Sequence, residues 1–353
     1  MIAKRFRGAR LAAICAILLL SGGRTAMART PTLAECAAIQ SDSERLACYD
    51  RVSGARPAAA PEEPEAAASP SDDIALPVPA ATAPAGATPS LITTAWAFAP
   101  DTPEFILSTY RPNYLLFARY TSDVNDKPFS PLFQAADATD QDLDPVEAVF
   151  QISFKTRLWT TDDRRWGAWI AYTQQSHWQV YNDDISRPFR ETNYMPEIIL
   201  SYRPDVAFGG FHWRLLNFGY THQSNGRTQV LSRSWDRLFA EFGIERGNFA
   251  LLARPWYRIS ESDDDDDNPD ITDYYGYGDI TAIYKPGNHS FALMGRGNFA
   301  TGKGAAQFTW LSPPLLGPLR VYVKAFTGYG ESMIDYNWKQ TTIGIGFALN
   351  DTL

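Results

Sequence analysis

A chain of 353 residues with 10 Trp, 17 Tyr, 20 Phe and 45% hydrophobic residues has too much apolar side chain to be disordered throughout. No run beyond the N-terminus approaches the ~20 consecutive apolar residues of a membrane helix, which excludes a helical membrane protein. The formal charge is −8. It falls to about −13 without the leader cations Lys4, Arg5, Arg7, Arg10 and Arg24, which argues against a nucleic-acid partner.

The leader reads as a signal peptide, residues 1–28. A basic region ends at Arg10, an apolar stretch runs from Leu11 to Leu20, and Ala26-Met27-Ala28 is a small-x-small site, so cleavage is expected after Ala28. Cys15 leaves with it. Residues 29–52 form a small periplasmic segment that keeps Cys36 and Cys48. In an oxidising compartment the two are expected to bridge a short helical hairpin with Leu33, Ile39 and Leu46 inside. A metal site is the alternative, but two thiols without a nearby His make an incomplete ligand set. Residues 53–92, rich in Ala, Pro and Glu up to Pro89, read as a flexible linker or, alternatively, a semi-rigid spacer.

From residue 93 to 353 the pattern changes to segments of alternating polarity separated by Gly, Pro, Asn and Asp. Twelve strands are expected, at about 112–121, 146–158, 166–178, 193–203, 211–224, 234–246, 248–258, 273–284, 289–298, 304–312, 317–328 and 340–349. Short connections (160–164, 247, 285–288) alternate with long polar ones (122–145, 182–192, 260–272, 329–339). One face of each strand is apolar: Leu238, Ala240, Phe242 and Ile244 are opposed by Arg237, Glu241 and Glu245, and Ile343, Ile345, Phe347 and Leu349 by Gly344, Gly346 and Ala348.

A soluble sandwich would turn that face to a core. A transmembrane barrel inverts it, with apolar residues toward lipid and Glu241, Arg254 and Lys324 inside. The secretory leader, the even strand number and aromatic residues near strand ends (Tyr110, Tyr120, Trp159, Trp166, Trp178, Tyr181) favour an all-β, 12-stranded antiparallel barrel in the outer membrane. The short turns are then periplasmic and the long loops external.

The fifth strand ends in Tyr220-Thr-His-Gln-Ser-Asn-Gly-Arg227. Residues two apart share a face of a strand, so His222 and Ser224 are neighbours, and an imidazole there can take a hydroxyl proton. They share the apolar face of Leu216, Phe218 and Tyr220, as Asp236 on the next strand shares that of Leu238. All three therefore face outward. A carboxylate beside the imidazole can hold its tautomer, and Gly226 permits close backbone approach for oxyanion donors. The competing reading places three polar residues at the interfacial rim, where they cost little.

The same run, with Ser232-Arg-Ser-Trp-Asp-Arg237, Arg187-Pro-Phe-Arg-Glu-Thr-Asn-Tyr194, Asp267-Asn-Pro-Asp-Ile271, Gly328-Tyr-Gly-Glu-Ser-Met-Ile-Asp-Tyr-Asn337 and Leu349-Asn-Asp351, closely resembles bacterial outer membrane phospholipase A. The likeness covers about residues 103–353. It implies a barrel hydrolysing phospholipid acyl esters (A1, A2 and lysophospholipase activity), activated by calcium and by dimerisation. By position it implies Ser224 as nucleophile, His222 as base and Asp236 as the orienting group, where the family commonly has Asn. It also implies an oxyanion donor from the Gly226 amide and Ca2+ held by the Arg227 carbonyl, the Ser232 hydroxyl and the carbonyl of Ser186 of the partner subunit. Gln174 resembles the family's interfacial glutamine; alone, it is a polar residue near the rim.

The run Asp263–Asp267 reads as a solvated acidic loop, although the family uses an aspartate here for a second calcium. His177, His212 and His289 read as structural. The alternative function is a non-enzymatic porin or adhesin with a decayed site, which a wide polar lumen would favour.

Overall fold

The computed structural model describes residues 32–53, 90–129, 142–262 and 265–353. The expected leader, nearly all of the linker, part of the first long loop, and Asp263 and Asp264 lie outside them. The chain divides into two compact units, 1–76 and 77–353.

The first unit is a hairpin of α1 (Leu33–Ala37) and α2 (Asp42–Ser53). Thr32 starts α1 through a reciprocal capping box: its hydroxyl accepts the Glu35 N–H, and the Glu35 carboxylate accepts the Thr32 N–H at 2.6 Å. Cys36 and Cys48 form a disulfide with a Cα–Cα distance of 5.5 Å. The interior is this bridge, both cysteines being buried, whereas Leu33, expected inside, is 63% exposed. Two short helices have too little facing surface to cover it as well. The Leu46 side chain lies outside the described set.

The second unit opens with α3 (Leu91–Ala95), which begins within the last residues of the linker span. Its strands are β1 (Ile106–Thr109), β2 (Tyr114–Thr121), β3 (Val146–Thr160), β4 (Trp166–Trp178), β5 (Phe189–Tyr202), β6 (Val206–Phe208) and β7 (Phe211–Ser224). There follow β8 (Ser234–Arg246), β9 (Phe249–Ile259), β10 (Gly278–Tyr284), β11 (Ser290–Asn298), β12 (Lys303–Leu316), β13 (Leu319–Tyr329) and β14 (Lys339–Ala348). Apart from the short β1 and β6, these make a closed 12-strand antiparallel barrel. Each strand pairs with its neighbours in sequence, and β2 closes on β14 from Tyr114↔Ala348 to Thr121↔Thr342. Closure leaves no edge for hydrocarbon to strip of hydrogen bonds.

The sidedness is that of a membrane protein. Ile198, Phe218, Leu238, Leu293 and Ile343 are each at least half exposed, while Arg119, Glu147, Lys155, Glu197 and Lys324 are buried. Trp159, Trp166, Tyr120 and Tyr181 lie exposed at strand ends as expected. Tyr110 does not: its hydroxyl takes a hydrogen bond from Arg254 inside the barrel.

The lumen is filled. Near the short-turn end α3 is pinned by Glu245, which accepts the Ser90 hydroxyl and the Ile92 N–H, the latter at 3.0 Å. Ile92, Trp96 and Phe98 pack with Trp169, Ile199 and Leu215. Above them Glu197 accepts from Arg111 (3.1 Å), Arg254 (3.2 Å) and Thr221 (3.0 Å). Toward the long-loop end Glu147 gathers Arg119 (2.9 Å), Arg190 (3.0 Å) and His177 (2.7 Å).

Arg190 continues to Asp335 at 2.9 Å, and Lys324 and Arg119 meet Glu331. The loop 330–338 is thus tied into the interior.

Three expected elements differ most in extent, and one of them, β12, runs on to Leu316 rather than 312. β5 starts at Phe189, not 193, because Arg190 and Glu191 look like loop residues yet face a polar lumen. The expected strand from 273 is first α4 (Ile271–Tyr275), whose Ile271 and Tyr275, one helical turn apart, are both buried. Gly276, at φ +70, ends it where a Cβ would lie 1.9 Å from the Gly297 carbonyl oxygen.

The loop carboxylates make stability pH-dependent. Burial alone would raise Asp335, but the Arg190 guanidinium and hydrogen bonds from Ser332 and Asn125 hold it below its ordinary 3.8. Arg119 and Lys324 likewise overcome burial to lower Glu331. A depressed carboxylate contributes stability that is present above the unfolded-state value and lost as pH falls through the folded one. Urea midpoints in detergent should therefore drop below about pH 4, and drop less in Asp335→Asn; a flat profile down to about pH 2 would contradict this.

Candidate active site

Strands β7 and β8 carry the outward polar group. Their register sets His222 opposite Asp236 and Ser224 opposite Ser234. The imidazole Nδ1 lies 2.9 Å from Asp236 Oδ1, with side chains 38% and 27% exposed. Outward neighbours Phe218 and Leu238 are 50% and 51% exposed, whereas Thr221 and Trp235, of opposite parity, are buried. The pair therefore lies on the lipid-facing wall near the long-loop end. With Nδ1–H donated to the carboxylate, Nε2 is the free base.

Ser224 shares that face and is half-buried; among the described residues its Oγ makes no hydrogen bond to the imidazole. Such contacts are often long in resting enzymes. On β5 Tyr194 stands opposite Ser224.

Behind the wall, Gln223 Oε1 accepts from Trp235 Nε1 (3.1 Å) and Arg237 (2.9 Å), and Arg237 stacks on the Trp235 ring at 3.9 Å. This inner layer gives the two strands a rigid backing.

The loop 225–233 carries the other expected groups. Gly226 has φ +62, a backbone conformation that favours glycine, and a Cβ there would come 3.1 Å from the Tyr194 ring, which would have to give by a few tenths of an ångström. The Arg227 guanidinium donates to the carbonyls of Phe189 (2.9 Å) and Arg190 (3.0 Å), docking the loop on β5. Ser232 Oγ donates to Asp267 Oδ2 at 2.6 Å, bringing one residue of the acidic run to the loop. Asp266 instead pairs with Arg258 at 2.6 Å.

Three contributors were not singled out in advance. Asn225, 4% exposed, accepts the N–H groups of Arg227 (3.2 Å) and Arg233 (3.0 Å) and donates to Leu231 O (2.7 Å) and Glu191 (3.3 Å). Glu191 also accepts the Ile334 N–H at 3.1 Å, linking this loop to 330–338. Tyr220 donates its hydroxyl to Asp236 Oδ1 at 2.7 Å. In the sequence Tyr220 passes for one more apolar residue of its face, and only its parity with His222 signals otherwise.

Ser186, in the loop between β4 and β5, is exposed and left-handed at φ +60. Gln174 is outward and half-buried on β4; its Oε1 accepts the Tyr172 hydroxyl at 3.0 Å and its Nε2 donates to Ser176 at 3.3 Å. Among the described residues no three His, Cys, Asp or Glu side chains form a metal cluster.

A family profile described as Phospholipase A1 matches residues 96–349. Phospholipase A1 of Klebsiella pneumoniae is 40% identical over 250 residues, 70% of this chain and 83% of that protein. Phospholipase A1 of Escherichia coli K12 is also 40% identical, over 82% of its length. An active-site mutant of outer membrane phospholipase A from Escherichia coli superposes with a TM-score of 0.67 at 36% identity, covering 75% of this chain and all of that one. The Salmonella typhi outer membrane phospholipase, a dimer with bound calcium, gives 0.68 at 36% identity with the same coverage of 75% and 100%. The barrel, its inverted sidedness and these likenesses agree: the chain belongs to the phospholipase A1 family and is a β-barrel of the bacterial outer membrane.

Proposed function

We propose that this barrel is a calcium-dependent, dimerisation-activated phospholipase with A1, A2 and lysophospholipase activity, working through Ser224, His222 and Asp236. The observation that carries the reading is the 2.9 Å His222–Asp236 pair, beside Ser224, on an apolar wall that faces lipid. Polar groups on such a wall are costly unless they are used.

Phospholipid approaches sideways, its acyl chains along the wall. His222 Nε2 takes the Ser224 proton as Oγ bonds to the ester carbonyl carbon, while Asp236 stabilises the imidazolium. The Gly226 N–H donates to the oxyanion. The ester C–O bond then breaks, the imidazolium protonates the leaving alcohol, and water attacks the acyl-enzyme by the same route to release fatty acid.

The oxygen donors suit a hard cation: the Arg227 carbonyl, the Ser232 hydroxyl with Asp267 beside it, and the carbonyl of Ser186 of the partner subunit. Bound calcium would polarise water at the developing oxyanion. A ligand set shared between two copies leaves the monomer silent, and Gln174 is assigned to their interface.

Purified protein in detergent should release fatty acid only with calcium, and excess chelator should reduce release to background, reversibly. Full turnover in chelator would remove the metal from the mechanism. The porin reading is disfavoured by α3 and the ion pairs that occupy the lumen.

A further inference from the structure

Asp236 Oδ1 receives two donors, His222 Nδ1 at 2.9 Å and the Tyr220 hydroxyl at 2.7 Å. Tyr220 and His222 lie two apart on one face of β7, and Asp236 is cross-strand partner to His222 while Leu238 is partner to Tyr220. The hydroxyl therefore reaches diagonally from one side of the carboxylate as the imidazole reaches straight across. Around them the wall is apolar: Phe218, Leu238 and Tyr257 are each at least half exposed to lipid. A carboxylate in that setting has little water to stabilise its charge.

We propose that Tyr220 is a positioning residue for the hydrolysis reaction: its hydroxyl holds the Asp236 carboxylate in the orientation that meets His222 and shares the charge of the oxygen bound to the imidazole. The proposal rests on the Ser224–His222–Asp236 reading and adds a fourth member that touches neither substrate nor reacting atoms. It ties the role to the carboxylate. A neutral amide at position 236 would need no such second donor, whereas an anion on a lipid-facing wall does.

With the hydroxyl removed, the imidazole is the one remaining side-chain donor to Oδ1 among the described residues, so the acid limb of the activity profile is expected to move to higher pH. The other charged or titratable groups near this carboxylate are Glu261 beyond β9, with Asp266, Asp267 and Arg258 around it, Tyr257 on β9 opposite Leu238, and Tyr194 on β5 facing Ser224. None of these donates to Asp236 Oδ1 among the described residues, so the change belongs to Tyr220.

The test is a cycle of four full-length proteins in calcium-loaded micelles: the parent, Tyr220→Phe, Asp236→Asn and the double variant, with kcat and KM measured across pH and heat-modified gel migration confirming the folded barrel. Tyr220→Phe should lower kcat about threefold to thirtyfold with KM unchanged, and move the acid limb of the kcat/KM profile up by about half a pH unit or more. In the Asp236→Asn background the same change should leave the limb in place. Equal effects in both backgrounds, or an unmoved acid limb in Tyr220→Phe, would overturn the role. Fluorophosphonate labelling separates the two levels: a parent protein that is not labelled at Ser224 refutes the triad itself, whereas normal labelling with an unmoved limb refutes only Tyr220.

Discussion

Ser224→Ala should lower phospholipid hydrolysis by at least about 10⁴-fold without altering the barrel's stability. On the proposed mechanism the Ser224 Oγ is the atom that bonds to the acyl carbon, with His222 as its base and Asp236 orienting the imidazole. Ser224 is half-buried on the lipid-facing wall, outside the interior network, so its truncation removes no packing from the lumen. Fatty-acid release, with urea unfolding as the control, separates lost chemistry from lost fold. Turnover within tenfold of the parent would exclude Ser224 as nucleophile.

Glu147→Ala is expected to have the largest effect on stability. Its two carboxylate oxygens accept from Arg119 (2.9 Å), Arg190 (3.0 Å), His177 (2.7 Å) and Gln179 (3.2 Å), and all five side chains are buried. Removing the anion leaves the Arg119 and Arg190 guanidiniums with only Glu331 and Asp335 as carboxylate partners, so the loss is expected near the lower end of the range for a broken buried pair, about 3 kcal/mol. Arg190 also holds Asp335, so hydrogen exchange in the loop 330–338 should accelerate. A urea midpoint within error of the parent would show that lumen water screens these charges effectively.

Much of the architecture is legible before any coordinates. Alternation along Leu238–Ile244 and Ile343–Leu349 marks an apolar face, and the secretory leader expected at the N-terminus favours reading that face as turned toward lipid. Strand parity alone puts Ser224, His222 and Asp236 on it. Legibility fails where the lumen inverts the usual meaning of polarity. Arg190 and Glu191 look like loop residues but belong to β5, and Tyr110, expected at the interface, turns inward to Arg254. The helix Ile271–Tyr275 is hidden because five residues give too short a window to tell a helical period from a strand's.

The proposed calcium ligands and dimer contact stand differently again. A carbonyl such as that of Arg227 has no side-chain signature, so position in a recognised motif is the only route to it. The structure adds that Ser232 meets the Asp267 carboxylate at 2.6 Å, which singles out one aspartate from an otherwise uniform acidic run.

Amino-acid order by itself determined that this chain builds an outer-membrane barrel with an apolar wall and with Ser224, His222 and Asp236 facing outward, because a period of two assigns every strand residue to one side or the other. Tertiary pairing decided which of those residues touch. Register between β7 and β8 placed the imidazole 2.9 Å from a carboxylate fourteen positions away, brought the Tyr220 hydroxyl onto the same oxygen, and let Asn225 and Glu191 join two distant loops. Such contacts depend on how closed strands align and on how crowded lumen charges choose partners, and a face-by-face pattern along one strand carries no record of either.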